Sequence, residues 1–433
     1  MIYLWSRHVF AALLLLAAQN LLADSAASGN LLQPDALVAQ ALAVSPALHS
    51  ARARIDGLSH RVPQSRALPD PVVSVGWTGN PEPFSIMHAD PSSGRSFGVS
   101  EQFTLASKRR LQAALANKDV EAAGNELESL RRAIALEART SFYQYLFAAN
   151  SLQILQDSRV IMQEVVQVAT AQYGAGKGAQ SDLLRAQLQL SAVLEKQLAF
   201  EESKAEALAR IHALLLQADN EPLAEPAQQG MLQLPASDSS LEEHAVLLDV
   251  DSHAAAIETA RNHLAVQLAQ KQIRPDLGVS YMVQQRSDQP AMHGVALSLS
   301  IPLFAKSKQQ QAVAEAASME HAAQLQGEQK QNNARLEVRR LMIAASSAER
   351  IVNLYRSTIL PQTRLAVESA LAAYRSGKGD LQSVLAAMNA TLDAELECTR
   401  QTQIQQQSVS AILIMTGHEP AIAKNASALQ EEK

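Results

Sequence analysis

The chain has 433 residues, a formal charge of −6 at pH 7, and 4% aromatic side chains against 47% hydrophobic ones. That balance offers no basic footprint for nucleic acid, and so few large side chains favour long, closely packed helices over a broad globular interior. The one cysteine, Cys398, excludes an internal disulfide and any paired-cysteine metal site.

Residues 1–23 read as a secretory signal peptide. Arg7 and His8 precede the apolar run Val9 to Ala18, and Leu21-x-Ala23 supplies a cleavage site before Asp24. The run is too short to span a bilayer as a helix, and no later stretch reaches the roughly 18 apolar residues that a transmembrane helix needs. Any membrane insertion must therefore use strands. No lipid-accepting cysteine follows the cleavage site.

A helical piece over 34–65 comes next and leads to two alternating runs. In the first, Val73, Val75 and Trp77 oppose Ser74, Gly76 and Thr78. The second covers Gly98 to Leu105 and carries Glu101 on its apolar side, a mark against lipid exposure there. From Ser107 to Gln172 there is no proline and only Gly124. One helix of about 66 residues, roughly 100 Å, is predicted. The glycine-rich turn Tyr173–Asp182 ends it, and a return helix carries Leu184, Leu188, Ser191, Leu194 and Leu198. Residues 218–239, with Pro222, Pro226, Gly230 and Pro235, read as a linker.

The same order then repeats. A helical piece over 240–272 precedes two more strands. Leu277, Val279, Tyr281 and Val283 alternate with Gly278, Ser280 and Gln284; Val295, Leu297, Leu299, Ile301 and Leu303 alternate with Ala296, Ser298 and Ser300. Each run has about ten residues, the length of a tilted membrane-spanning strand, although an amphipathic sheet in a soluble domain alternates in the same way. Lys306 to Ala373 predicts a second long helix, kinked at Pro361. After the turn at Tyr374, residues Leu381, Val384, Leu385, Met388, Leu392 and Leu396 form a coiled-coil seam. Residues 418–433 read as a flexible tail.

Three blocks match between the halves, in the same order. Tyr173-Gly-Ala-Gly-Lys-Gly answers Tyr374-Arg-Ser-Gly-Lys-Gly. Pro69-Asp70-Pro71-Val72-Val73-Ser74-Val75 answers Pro275-Asp276-Leu277-Gly278-Val279-Ser280-Tyr281. Gly98-Val99-Ser100-Glu101 answers Ala296-Leu297-Ser298-Leu299. The chain is a tandem duplication, with repeats over 24–217 and 240–417. A helix of about 100 Å that returns by one of about 55–60 Å leaves some 40 Å, which the shorter helices supply.

The duplicated strand–strand–long-helix order, the paired Tyr-x-x-Gly turns and Ser300-Ile301-Pro302-Leu303-Phe304 before a helix resemble the TolC-like outer membrane efflux family. The resemblance covers about Leu31 to Gly417. It implies a mainly α protein with a small β part: a homotrimer whose 12-stranded outer-membrane β-barrel continues as a periplasmic α-helical coiled-coil tunnel. Four strands cannot close a barrel, whereas three copies supply twelve. It implies a location in the cell outer membrane with a large periplasmic portion, contact with outer-membrane lipid, and no cofactor. A periplasmic adaptor protein and an inner-membrane efflux pump of the RND type are the implied partners. The segments Leu68-Pro-Asp-Pro-Val-Val-Ser-Val and Val99-Ser-Glu-Gln-Phe are similar to the heavy-metal branch, which exports monovalent or divalent cations. Thr104 and Ser107 stand where that branch has proline and glycine.

The resemblance also assigns sites. Gly176, Lys177, Gly178, Gly377, Lys378 and Gly379 lie in the two tip turns, where the helical hairpin of an adaptor would dock. In the family, a tyrosine and an arginine on the second turn hold an aspartate on the first. Here Tyr374 and Asp182 take the tyrosine and aspartate positions, and Gly379 replaces the arginine. Two aspartates at the family's constriction fall on Ser383 and Ala386, leaving Asp380 as the substitute carboxylate.

No catalytic motif is present: no His-Glu-x-x-His, no Gly-x-Ser-x-Gly and no phosphate-binding glycine loop. His244, His253 and His263 are spaced too widely for one helical turn and read as solvated helix residues. Met87-His88 and Met292-His293 both fall in expected strand-connecting loops, where thioether and imidazole suit soft cations. An adaptor would also carry a signal and a long hairpin, but it has one hairpin among many short strands. A secreted enzyme on a helical scaffold would need the catalytic groups just excluded.

Overall fold

The computed structural model describes residues 31–79, 93–234, 238–286 and 289–418. The expected signal peptide, the Met87-His88 pair and the expected tail beyond His418 lie outside them. The chain divides into two compact units: Met1–Pro46, Leu130–Leu248 and Arg335–Lys433 form one, and Ala47–Ser129 with Asp249–Ala334 form the other.

The second unit holds the strands. Their bounds are β1 Val72–Thr78, β2 Gly94–Phe103, β3 Leu277–Arg286 and β4 Gln289–Leu299. All pairs are antiparallel and the order is β1-β2-β3-β4, so β2 of the first repeat pairs with β3 of the second. Val73, Val99, Tyr281 and Val295 lie on one line across the sheet, followed by Val75, Phe97, Val283 and His293. Because side chains alternate, this face is apolar. It is also exposed: Val73, Val295 and Leu297 are 75%, 77% and 71% accessible. The opposite face carries Ser74, Gly98, Met282 and Gly294, then Gly76, Ser96, Gln284 and Met292. Glu101 sits on the apolar face opposite Val279, two residues from the end of β2.

Two strand boundaries differ from the alternation. β4 begins six residues before Val295 and stops at Leu299, leaving Ile301 and Leu303 outside. Its partner β3 starts at Leu277, opposite Leu299, and Pro302 has no N–H to continue a ladder. Met292 and His293 therefore lie in β4, not in a connecting loop. As neighbours in a strand they point to opposite faces, and the His293 ring pairs instead with the Tyr281 hydroxyl at 2.7 Å. β2 likewise begins at Gly94 and omits Thr104 and Leu105.

Flanking this sheet are α2 Pro46–Ser59, α3 Arg61–Arg66 and α7 Val250–Lys271. The expected helix over 34–65 is broken because Ser45, which precedes Pro46, is extended at ψ 114°; α1 is thus Pro34–Val44. The expected 240–272 helix is split by Asp249, whose carboxylate caps α7 by accepting from Ser252 N at 2.7 Å. It follows α6, Asp238–Leu248. A buried ion pair ties the sheet to the first long helix, α4, Ala106–Gly174. Lys108 Nζ donates to Asp276 Oδ2 at 2.9 Å and to the Arg274 carbonyl at 2.7 Å, and Asp276 Oδ1 accepts from Leu105 N.

In the other unit, the rest of α4 packs with α5 Gln180–Leu215, α9 Leu360–Arg375 and α10 Leu381–Met415. α4 has 69 residues without a break. Its counterpart does break: α8, Gln309–Leu354, passes through a π-helical turn, Tyr355–Ile359, into α9. The Leu360 N–H reaches back five residues to the Tyr355 carbonyl, one residue before Pro361, whose missing N–H prevents a regular ladder. The linker is held rather than loose. Buried Gln405 exchanges hydrogen bonds with the Leu232 backbone, and Gln406 donates to the Gln229 and Gly230 carbonyls. The N-terminal segment joins it, with Leu32 N donating to Glu225 O at 2.9 Å and Ala227 N to Leu32 O at 2.9 Å.

Candidate functional site

The two glycine-rich turns end this unit, and they are built alike. In the first, Gly176 N donates to Tyr173 O at 3.0 Å, while Lys177 N and Gly178 N both donate to Gln172 O at 2.8 and 3.1 Å. In the second, Gly377 N donates to Tyr374 O at 3.0 Å, while Lys378 N and Gly379 N both donate to Ala373 O at 2.9 and 3.0 Å. Each position matches its repeat partner, so one local sequence signal folds twice into one helix-ending turn.

The glycines have two separate reasons. Gly176 and Gly377 are left-handed, at φ +73° and +71°, a region costly for any residue with a Cβ. Gly178 and Gly379 are instead places of close approach. A Cβ at Gly379 would lie 2.9 Å from Ala373 Cβ, and one at Gly178 would lie 3.1 Å from Gln172 Cβ. The two lysines, Lys177 and Lys378, are exposed. Gly377→Ala should therefore destabilise the tip by about 1 kcal/mol, whereas Lys378→Ala should stay within about 0.5 kcal/mol. Amide hydrogen exchange at residues 372–384 measures both.

Beneath the turns lies a core of Met162, Val165, Ala169, Ala186, Leu371, Tyr374, Leu381, Val384, Leu385 and Met388. Four helices contribute, and the expected seam residues of α10 are its centre. The equivalent tyrosines part company here. Tyr374 is 4% exposed within this core, whereas Tyr173 is 45% exposed. Burial first, and then the Asp182 carboxylate, push the Tyr374 phenol above its ordinary value. It is neutral at physiological pH and can act towards a carboxylate only as a hydroxyl donor. Within one protomer, and among the described residues, no hydrogen bond joins Tyr374 to Asp182. The turns are tied instead by Gln172 Nε2 donating to the Tyr374 carbonyl at 3.1 Å and by the Arg375–Glu164 ion pair.

Asp380 and Ser383 are engaged with each other. Asp380 is the N-cap of α10, accepting from Ser383 N at 2.8 Å and from Ser383 Oγ at 3.0 Å. The bond from the Ser383 backbone is the main cause that holds the Asp380 carboxyl below the usual range. Asp182 sits in the first turn of α5, whose N-cap, Ala179, has no side-chain bond. The capping role was readable from the Asp380-x-x-Ser383 spacing. The Gln172 and Arg375 ties had no sequence signal, because each depends on α4 meeting the end of α9.

Elsewhere, His263 pairs with Glu320 at 2.9 Å and His244 with the Ser240 carbonyl at 2.8 Å. Among the described residues no three His, Cys, Asp or Glu side chains gather as a metal site, and no helix is long and apolar enough to cross a membrane.

Residues 37–215 match the family described as outer membrane efflux protein. Over that stretch the chain is similar to outer membrane efflux proteins. The match runs from α1 to α5 and takes in β1, β2 and the turn after Tyr173. The chain's fold is found in solved channels at low sequence identity. OprN is 22% identical, with 89% of each chain covered and a TM-score of 0.76. VceC of Vibrio cholerae is 18% identical, covers 89% of this chain and 96% of its own, and has a TM-score of 0.75. CusC is 15% identical, covers 89% and 92%, and also has a TM-score of 0.75. A search of curated proteins by sequence found no match.

Proposed function

We propose that this chain is the outer-membrane channel of a tripartite efflux system, a homotrimer fed by a periplasmic adaptor and an inner-membrane pump of the RND type. The observation that carries this is the sheet: four antiparallel strands with an exposed apolar face, a serine- and glycine-rich opposite face, and, among the described residues, no partner on the outer edges of β1 and β4. Lipid suits the first face and water the second. Three copies give twelve strands, and the helices become the periplasmic tunnel. The two repeats, 24–217 and 240–417, then contribute one hairpin each to every third of the barrel. An adaptor has one helical hairpin, whereas this chain has two.

Gly176, Lys177, Gly178, Gly377, Lys378 and Gly379 form the adaptor-docking tips in this reading, the glycines by shaping the turns and the lysines by offering exposed charge. Replacing both turns by a different helix-to-helix connection should abolish pump assembly while the trimer stays intact. Tyr374 and Asp182 form the periplasmic gate, with Asp380 and Ser383 beside it at the start of α10. Asp182→Ala should raise the conductance of the purified channel in a planar bilayer several-fold; unchanged conductance would remove the latch. Monovalent and divalent metal cations are the first cargo candidates, on the resemblance to the heavy-metal branch. Sensitivity of a deletion strain to a panel of metals and drugs identifies the cargo. Heat-sensitive migration as a trimer from the outer-membrane fraction tests the channel itself, and recovery as a soluble periplasmic monomer would overturn it.

A further inference from the structure

We infer that two copies of this chain are joined by β4 of one and β1 of the next, with Leu299 opposite Val73 and Leu297 opposite Val75, and that Lys306 and Asp70 form an ion pair across that junction. The inference rests on the trimeric reading above and names its interface.

The argument comes from the duplication. The matched blocks place Val73 on Val279 and Val99 on Leu297. Applied to the observed pair Val73↔Val99, this correspondence gives Val279↔Leu297, which is a pair of the second hairpin. Val75↔Phe97 likewise gives the observed Tyr281↔Val295. The correspondence is thus a structural one, residue for residue.

The chain also contains one junction between its hairpins, β2 with β3, where Glu101 faces Val279 and Val99 faces Tyr281. Moving this junction forward by one repeat places Leu299 opposite Val73 and Leu297 opposite Val75 of a second copy. The buried pair moves with it: Lys108 becomes Lys306, and Asp276 becomes Asp70. Both Asp70 and Lys306 are exposed, and among the described residues neither has an ion pair or hydrogen bond. Their counterparts do: Lys108 is 3% exposed at 2.9 Å from Asp276. The apolar residues show the same contrast. Phe103 and Leu105 are half-buried beside β3, whereas Ile301 and Leu303, their counterparts, are 64% and 82% exposed. Lys108, Phe103 and Leu105 are covered at the internal junction, and their counterparts Lys306, Ile301 and Leu303 are bare where the second copy would sit.

The test uses the full-length protein with Cys398→Ser, extracted from outer membranes. Val73→Cys with Leu299→Cys, mildly oxidised, should run on a non-reducing gel as covalent dimer and trimer, and each single cysteine variant should not. Val73→Cys with Leu297→Cys, one step out of register, should cross-link several-fold less. Asp70→Lys and Lys306→Asp should each lower the heat-sensitive trimer several-fold, and the double exchange should restore it. A parent protein that runs as a monomer sinks the trimeric reading itself. A parent trimer whose 73/297 pair cross-links better overturns the register, and single exchanges without effect, or a double without recovery, overturn the ion pair.

Discussion

Arginine at Val295 and Leu297 will keep the protein out of the outer membrane. Both side chains stand on the apolar face of β4, more than two-thirds exposed, in line with Tyr281 and Val279 of β3. If that face meets hydrocarbon, each arginine near the bilayer midplane costs about 2–4 kcal/mol, which together rivals the net stability of many folded domains. Heat-sensitive trimer in the outer-membrane fraction should fall below detection. Arginine at Ala296 and Ser298, on the opposite face, should be tolerated. If all four positions behave alike, the sheet does not face lipid on one side and water on the other.

Asp276→Ala has the second largest expected effect. It leaves the Lys108 ammonium buried with only the Arg274 carbonyl as acceptor, and it removes the acceptor for Leu105 N at the start of α4. Removing one partner of a buried pair is far more damaging than replacing both. A loss of about 3 kcal/mol is expected, at the low end of that class because Asp276 is itself 35% exposed. The midpoint of denaturant unfolding measures it. The double variant Lys108→Met, Asp276→Leu should recover most of the loss; if it is as unstable as the single, the ion pair is not what joins the strand to the helix.

Much of this architecture was legible in the sequence because it is periodic. Val73, Val75, Val99 and Leu297 alternate at the strand period, and Leu381 to Leu396 at the coiled-coil period, so local chemistry announces both the element and the face. What could not be read is where elements stop. β4 ends at Leu299 because β3 begins at Leu277, a fact of pairing that Ile301 and Leu303 do not reveal. Met292 and His293 looked like loop residues for the same reason. Pro361 did announce a distortion, but the π-helical turn that accommodates it lies before the proline, among residues with no signal of their own. At the tip, the glycines were visible as turn formers, and the split into one pair fixed by φ and one by close approach was not. Asp380, expected as a pore carboxylate, is held by Ser383 as a helix cap. The cap fixes where that carboxylate sits at the start of α10.

The unequal tyrosines carry a consequence for whatever meets the far end of the helices. Two turns with the same backbone bonds present different surfaces, one offering the Tyr173 ring and the other keeping its Tyr374 ring buried. A threefold assembly would then end not in six interchangeable knobs but in an alternating crown, three of one kind between three of another. A ligand with six identical arms would find each neighbouring seat different from the last, and would have to settle in pairs.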